Sequence, residues 1–333
     1  APIIVGDSYG VYITGTATDF YHGILKGQVD GYYGTITGTP SGSILAQGTE
    51  TITVDNEDGT TEEKIYQTDF IGEYENWLKV GEEEFNSIDK AMAAIEDGKE
   101  GTITVIKDAN LTFVQTFVDA NKNKSVTFDL NGHHIKTTQT IYNQSDVTII
   151  DSSENQTGTL EPLRVTGIVN QAVLTLNAGN YIGSVTQIIE NQKTATINNA
   201  RFSVTQNAIK NTGTLNIENI NIENSNNGIQ NTGKTIMNNG TINANQYASY
   251  GSTGTFILNN GTITANKVGL MNQKTEINDG SIYGKENAIG GNDGADVING
   301  GIVSSDTNYA IYSYDGSITV NGGTITSRDA VAI

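Results

Sequence analysis

A chain of 333 residues with 38 Gly, 3 Pro and no Cys, rich in Asn, Thr and Ile, points to an all-β architecture. The missing cysteines exclude disulfides, thiolate metal sites and a cysteine nucleophile. A formal charge of −19 argues against nucleic acid and anionic membrane as partners, because phosphate binding draws on Lys and Arg.

The acid is unevenly placed. Residues 50–101 hold 16 Asp and Glu against 4 Lys, whereas residues 124–333 hold 16 against 11 Lys and Arg, so the second region is nearly neutral. No apolar run is long enough to cross a bilayer. The opening from Ala1 to Gly10 has neither the basic start nor the apolar core of a signal peptide, which suggests a leader already removed or an excised fragment.

In chain order, residues 1–80 read as a β-rich segment. YITGTATDFYHGILKGQVDGYYGTITG has a Gly-Thr-Ile vocabulary and reads as the end of a preceding coil or as a small β-subdomain. TETITVDNEDGTTEEKIYQ reads as a hairpin turning at Asp58 and Gly59. Asp55, Glu57 and Asp58 lack the ligand spacing of a calcium loop and are read as a solvated turn. Residues 81–100 contain one amphipathic helix: Phe85, Ile88, Met92 and Ile95 form its stripe and Gly98 its stop. Its apolar face is expected to plug the first coil of a solenoid, with Trp77 and Leu78 joining it.

Residues 101–333 are repetitive. VTFDLNGHHI, TLNAGNYI, TATINNARF, TLNIENINI, KTIMNNGTI, FILNNGTI, TEINDGSI, DVINGGIV and ITVNGGTI recur about every 20 to 22 residues. Their bends are assigned to Asn131, Asn177, Asn198, Glu218, Asn238, Asn259, Asn278, Asn299 and Asn321, often followed closely by Gly, because both residue types tolerate positive φ. A second column comprises Asn143, Asn170, Asn191, Asn211, Asn231 and Asn272, with Gly251, Gly291 and Ser313 substituting. In a parallel coil, equivalent residues lie about 4.8 Å apart, so these amides are expected to form a buried ladder. Between the columns, apolar and polar residues alternate with period two, as in Phe256, Leu258, Ile263 and Ala265. The fold expected is all-β, a right-handed parallel β-helix of about ten coils after Lys124, roughly 45 to 50 Å long. SSENQTGTLEPLRVTG is an excursion in its longest coil, and the rod is expected to continue past Ile333.

Two stretches resemble phrases from large repetitive surface proteins of gut Firmicutes: DFYHGILKG followed by GYYGTITG, and FNSIDKAMAAI followed later by VTFDLNGHHI. The resemblance spans nearly the whole chain and is one of pectate-lyase-like superfamily patterning. It implies a secreted or cell-wall-attached product whose β-helix arrays serve adhesion or spacing.

Catalytic chemistry is sparse. Arg164, Arg201 and Arg328 fall in different coils without a paired acidic column, which disfavours a lyase. No Gly-His-Gly accompanies clustered Asp as a polygalacturonase-like site requires. His22 stands apart, and His133 with His134 has no third metal ligand within reach by sequence. Asp293 and Asp296 are candidates for calcium that a Gly-Asn-Asp turn explains as well. Thr241 with Asn243, Thr262 with Thr264, Ser281 with Tyr283 and Thr324 with Thr326 are too irregular for an ice lattice. The remaining lead is aromatic: Tyr247 and Tyr309 share one column, Tyr142, Tyr250 and Tyr312 another, and Tyr314 extends the face. The expectation is a scaffold or adhesin segment with no catalytic residue, cofactor or metal, contacting a host or microbial glycan or protein. A polysaccharide lyase, hydrolase or tailspike-like depolymerase is the alternative.

Overall fold

The computed structural model describes the chain outside residues 1–2, 7, 13, 15–17, 20–22, 29, 34–35, 38–43, 56–59, 72–74, 113, 119–122, 165 and 291–293. Two compact units emerge, residues 1–76 with 110–114, and residues 77–109 with 115–333.

In the first unit, Ile3–Gly6, Tyr9–Tyr12 and Thr18–Asp19 pair in parallel with Gly23–Gly27, Asp30–Tyr33 and Ile36–Thr37. Three short strands thus recur about one solenoid period later, the pattern of one coil laid on another. Ile44–Asp55 and Thr61–Ile71 form the expected antiparallel hairpin, in which Asp55 faces Thr61, and Thr61–Ile71 also pairs with Gly23–Gly27. The turn itself, with Glu57, Asp58 and Gly59, lies outside the described residues, as does His22.

The second unit is a β-solenoid whose coils each lay down three short strands. In one coil these are Val173–Leu176, Asn180–Gly183 and Gln187–Asn191; in the next, Thr194–Ile197, Arg201–Val204 and Asn207–Asn211 stack on them in parallel. Along the first face, ten successive pairings join residues 100 to 320. At the inter-strand spacing that is an axial run of roughly 48 Å. Alternate residues point inward, so like stacks on like: Phe128, Ile149, Leu176, Ile197, Ile217, Met237, Leu258, Ile277 and Ile298 form one continuous buried column. Burying each such side chain contributes about 1.5 to 3 kcal/mol, offset by the ordering of the chain.

The first coil is closed by a short helix, Ile88–Ala94, which is narrower than the amphipathic stretch because Phe85 belongs to the strand Glu83–Phe85. Ile88, Ala91 and Met92 are buried, as are Trp77 and Leu78. Gln115 Oε1 of the first coil accepts the Ile88 N–H at 2.8 Å, and Lys124 donates to the Met92 carbonyl at 2.8 Å, satisfying groups that a short helix leaves open at its ends.

Two amide ladders run along the rod. In the inner one, at the end of the third face, Asn143 Nδ2 donates to Asn170 Oδ1, Asn170 to Asn191 and Asn191 to Asn211, each at 2.8 Å, and Asn211 to Asn231 at 2.9 Å. Asn170 fills its amide completely, for its Oδ1 also accepts the Ala172 N–H and its Nδ2 also donates to the Thr194 carbonyl. The ladder stops at Gly251, which pairs with Asn272 and where a Cβ would lie 1.8 Å from the Asn231 carbonyl oxygen. Asn272 is therefore no rung: its Nδ2 reaches back to the Asn231 carbonyl at 3.3 Å and its buried Oδ1 has no partner among the described residues. Gly291, next in that column, lies outside the described residues.

The outer ladder occupies the bend after the first face. Asn198 donates to Asn177, Asn259 to Asn238, Asn278 to Asn259, Asn299 to Asn278 and Asn321 to Asn299, at 2.6 to 2.8 Å. It runs toward the N-terminus, opposite to the inner ladder. Register corrects one member of this column. Asp129, not Asn131, stands with it, because Phe128 aligns with Ile149 and Leu176. Asn131 follows in the turn at φ 47°, its N–H bonded to Asp129 Oδ1.

Removing an inner rung strands two buried amides, whereas an outer rung is reached by water. Asn191→Ala is expected to lower stability by roughly 2 to 4 kcal/mol, and Asn259→Ala by about 1 kcal/mol or less. Urea denaturation of both variants checks this, and equal losses would show that burial of the ladder is immaterial.

Candidate functional site

The tyrosines fall in the columns expected. Tyr247, Val268, Asn287 and Tyr309 follow one another on the third face, as do Tyr250, Met271, Gly290 and Tyr312. The rings meet in pairs, Tyr247 with Tyr250 and Tyr309 with Tyr312, each with centroids 5.7 Å apart. The pairs differ in freedom. Tyr250 donates its hydroxyl to Asn207 Oδ1 at 3.2 Å, and burial pushes that hydroxyl above its ordinary pKa against the opposing effect of the Asn207 bond. Tyr309, Tyr312 and Tyr314 are 41%, 40% and 74% exposed, so Tyr314 and the parts of the stacked Tyr309 and Tyr312 rings turned away from each other are accessible.

A second region was not anticipated. The long coil Asp146–Ile150, Thr159–Pro162 and Ile168–Asn170 carries the excursion. Asp129 and Asp151 hold the excursion's base. Asp151 accepts from the Gly132, Ser153 and Gly158 N–H groups, and Asp129 from Ser152. Two depressions flank it, at opposite ends of the strands Asn180–Gly183 and Arg201–Val204. One, of about 460 Å³, is lined by Glu161, Leu163, Ile182, Ser203, Val204 and Asn224 among others. The other, of about 150 Å³, is lined by Glu154, Gln156, Asn180, Asn199 and Arg201 among others.

Beside the larger cleft, His134 Nε2 lies 2.8 Å from Glu161 Oε2, an ion-pair distance without hydrogen-bond alignment, and Lys136 Nζ lies 3.7 Å from the same oxygen. His133 contacts Asp108 at 3.2 Å, and the His134 N–H donates to that carboxylate, holding Asp108 below its usual range. His133 and His134 thus each have a carboxylate from a neighbouring coil. Among the described residues, no group of three or more His, Cys, Asp and Glu is placed to hold a metal. Arg164, Arg201 and Arg328 remain on separate coils, with Arg201 at the smaller depression and Arg328 beside Asp306.

Asp293 lies outside the described residues, and Asp296 is not in a turn. It sits in the strand Ala295–Ile298 with its side chain inward and 4% exposed, paired with Thr275, whose N–H donates to Oδ1 at 3.1 Å. Burial pushes its carboxyl up to about 6, outweighing the bond from the Thr275 N–H. The Asn in GGNDGAD invites a turn reading, but the strand begins three residues later and its period carries Asp296 into the core.

No family model matches the chain, nor does any curated protein or solved structure.

The raised pKa of Asp296 fixes the sign of a pH effect. A carboxyl that holds its proton more tightly when folded favours the fold at low pH, and that advantage disappears as pH rises from about 4 through about 6. Asp296→Asn keeps an acceptor for Thr275 and removes the charge. It is expected to be more stable than the parent by up to about 3 kcal/mol above pH 7 and no better near pH 4. Denaturation across this range checks it; parallel profiles would mean that Asp296 ionises without penalty.

Proposed function

We propose that the chain is a non-enzymatic segment of a bacterial surface or secreted protein, a stiff β-solenoid that presents its lateral face to a glycan or protein ligand. The observation that carries this reading is the group of exposed rings of Tyr309, Tyr312 and Tyr314 on a rod whose interior amides are committed to stacking. Aromatic faces pack on the apolar faces of sugars, and tyrosine is favoured at protein contacts for the same combination of ring and hydroxyl. The resemblance to repetitive surface proteins of gut Firmicutes with pectate-lyase-like patterning supports a cell-wall or extracellular setting.

The second reading, a carbohydrate-active enzyme, draws on Glu161 beside His134 at a cleft. Against it, the cleft lining contains one carboxylate, Glu161. Glu223, in the same outward column, lies three rungs away, which is roughly 14 Å between backbones. Glycosidases hold their two carboxyl groups about 5 to 10 Å apart.

Glycan-array and protein-binding screens test the proposal. A ligand whose affinity falls about tenfold or more, about 1.4 kcal/mol, in Tyr309→Ala with Tyr312→Ala supports it. Loss of that ligand on Leu163→Glu alone would move the site to the cleft. Depolymerisation of a polysaccharide that Glu161→Gln abolishes would establish the enzyme instead, and no ligand in any screen would reduce the rod to a spacer.

A further inference from the structure

The sequence contains six Asn-Gly pairs, at Asn131, Asn227, Asn239, Asn260, Asn299 and Asn321. Such a pair can modify itself. The glycine peptide nitrogen attacks the side-chain carbon Cγ, forming an N–Cγ bond while the Cγ–Nδ2 bond breaks, and the peptide proton leaves with the amine as ammonia. Water then opens the five-membered imide at either carbonyl, giving aspartate or isoaspartate. Glycine allows this because no Cβ obstructs the approach, and the rate depends on whether the two groups are held close and otherwise unengaged.

The fold treats the six pairs differently. Asn299 donates its Nδ2 to Asn278 and accepts from Asn321, and Asn321 donates to Asn299, so the outer ladder restrains both amides. Asn131 donates to the Val105 carbonyl, while the Gly132 N–H is turned away to Asp151 Oδ1. Asn227 lies within the strand Asn221–Asn231 and donates to Asn207. Asn260 is the opposite case. It is exposed at the bend, the Gly261 N–H donates to Asn260 Oδ1 at 2.8 Å, and the amide makes no other hydrogen bond among the described residues. This hydrogen bond holds the attacking nitrogen beside the side-chain carbonyl group, on a residue that solvent reaches. Asn239, also exposed one coil earlier, has no such contact among the described residues.

The next coil displays the product. Asp279 occupies the equivalent bend position, and the Gly280 N–H donates to Asp279 Oδ1 at 2.8 Å, the same distance as in the Asn260 bend. An aspartate is therefore accommodated there without rearrangement.

We propose that Asn260 is a self-deamidation site of this protein, converting with water to aspartate and isoaspartate and releasing ammonia, while the pairs held in the ladder are protected. The change adds a carboxylate about one rung from Asp279 on the bend surface, and the isoaspartate product lengthens the backbone at the bend.

Peptide mapping by mass spectrometry, after incubation of the intact folded protein at mildly alkaline pH, tests this. The peptide bearing Asn260 is expected to convert first, with Asn239 next and the peptides bearing Asn299 and Asn321 several-fold slower. Isoaspartate should be detected at position 260, and Asn260→Gln should lose the early phase. Equal rates at all six pairs, or faster conversion at Asn299 or Asn321, would overturn the proposal. The urea-unfolded chain supplies the second measurement: the ranking should collapse there, and its persistence would assign the rates to local sequence and sink the structural argument.

Discussion

A parallel coil sets each residue about 4.8 Å above its equivalent in the coil below, and a side chain must therefore find in its neighbour a partner of its own kind. Branched apolar chains meet this demand by packing, as from Ile197 to Ile217. Asparagine meets it by carrying donor and acceptor on one planar group, so that one rung's Nδ2 faces the next rung's Oδ1. A buried carboxylate or ammonium in the same column would meet its like charge. This constraint explains why the core is apolar and the bends are amide-rich in a chain that carries so many other polar residues.

Interruptions of stacking have local physical causes. Glu218 occupies a rung of the outer ladder and accepts from Asn238, but a carboxylate has no proton to pass on, so Asn198 receives nothing from it. Gly251 interrupts the inner ladder because the backbone of the coil below comes too close for any side chain. Asn272, beyond that gap, keeps an unpaired buried oxygen, and Thr275 and Asp296 follow it into the interior with a hydroxyl and a carboxyl that the stacking rule does not serve. The inner ladder is thus continuous from Asn143 to Asn231 and does not resume at Asn272.

Much of this was legible in the letters. Period, inward alternation, the inner Asn column and the tyrosine columns all follow from spacing, because stacking converts sequence distance into spatial adjacency at a fixed rate. Where the rate changes, the letters mislead. Asn131 looks like a bend residue of the outer column because it precedes Gly132, yet the first-face strand ends earlier and Asp129 takes that place. The carboxylate beside His134 is not legible from the repeat because Glu161 lies within the excursion, farther along the chain than one ordinary period, although the pairing of His134–Thr137 with Thr159–Pro162 sets Lys136 directly against Glu161. The contact between Gly261 and its own preceding side chain depends on bend geometry that composition does not carry.

The same rule bears on recognition. A surface that repeats one residue per rung offers a ligand many equivalent positions, and sliding along it changes little, so selectivity requires departures from the repeat. On the third face, Gln187, Asn207 and Asn227 give way to Tyr247 and later Tyr309, while Lys210 and Gln230 give way to Tyr250 and Tyr312. Around the excursion, the smooth wall acquires a cleft with Glu161 beside it in an ionic cluster. Regular coils supply stiffness because they are alike, and the few unlike positions can be held in register without a core of their own. On the proposed binding reading, that division would let ligand contacts change by substitution at outward positions while the inward columns, which bear the stability, stay untouched.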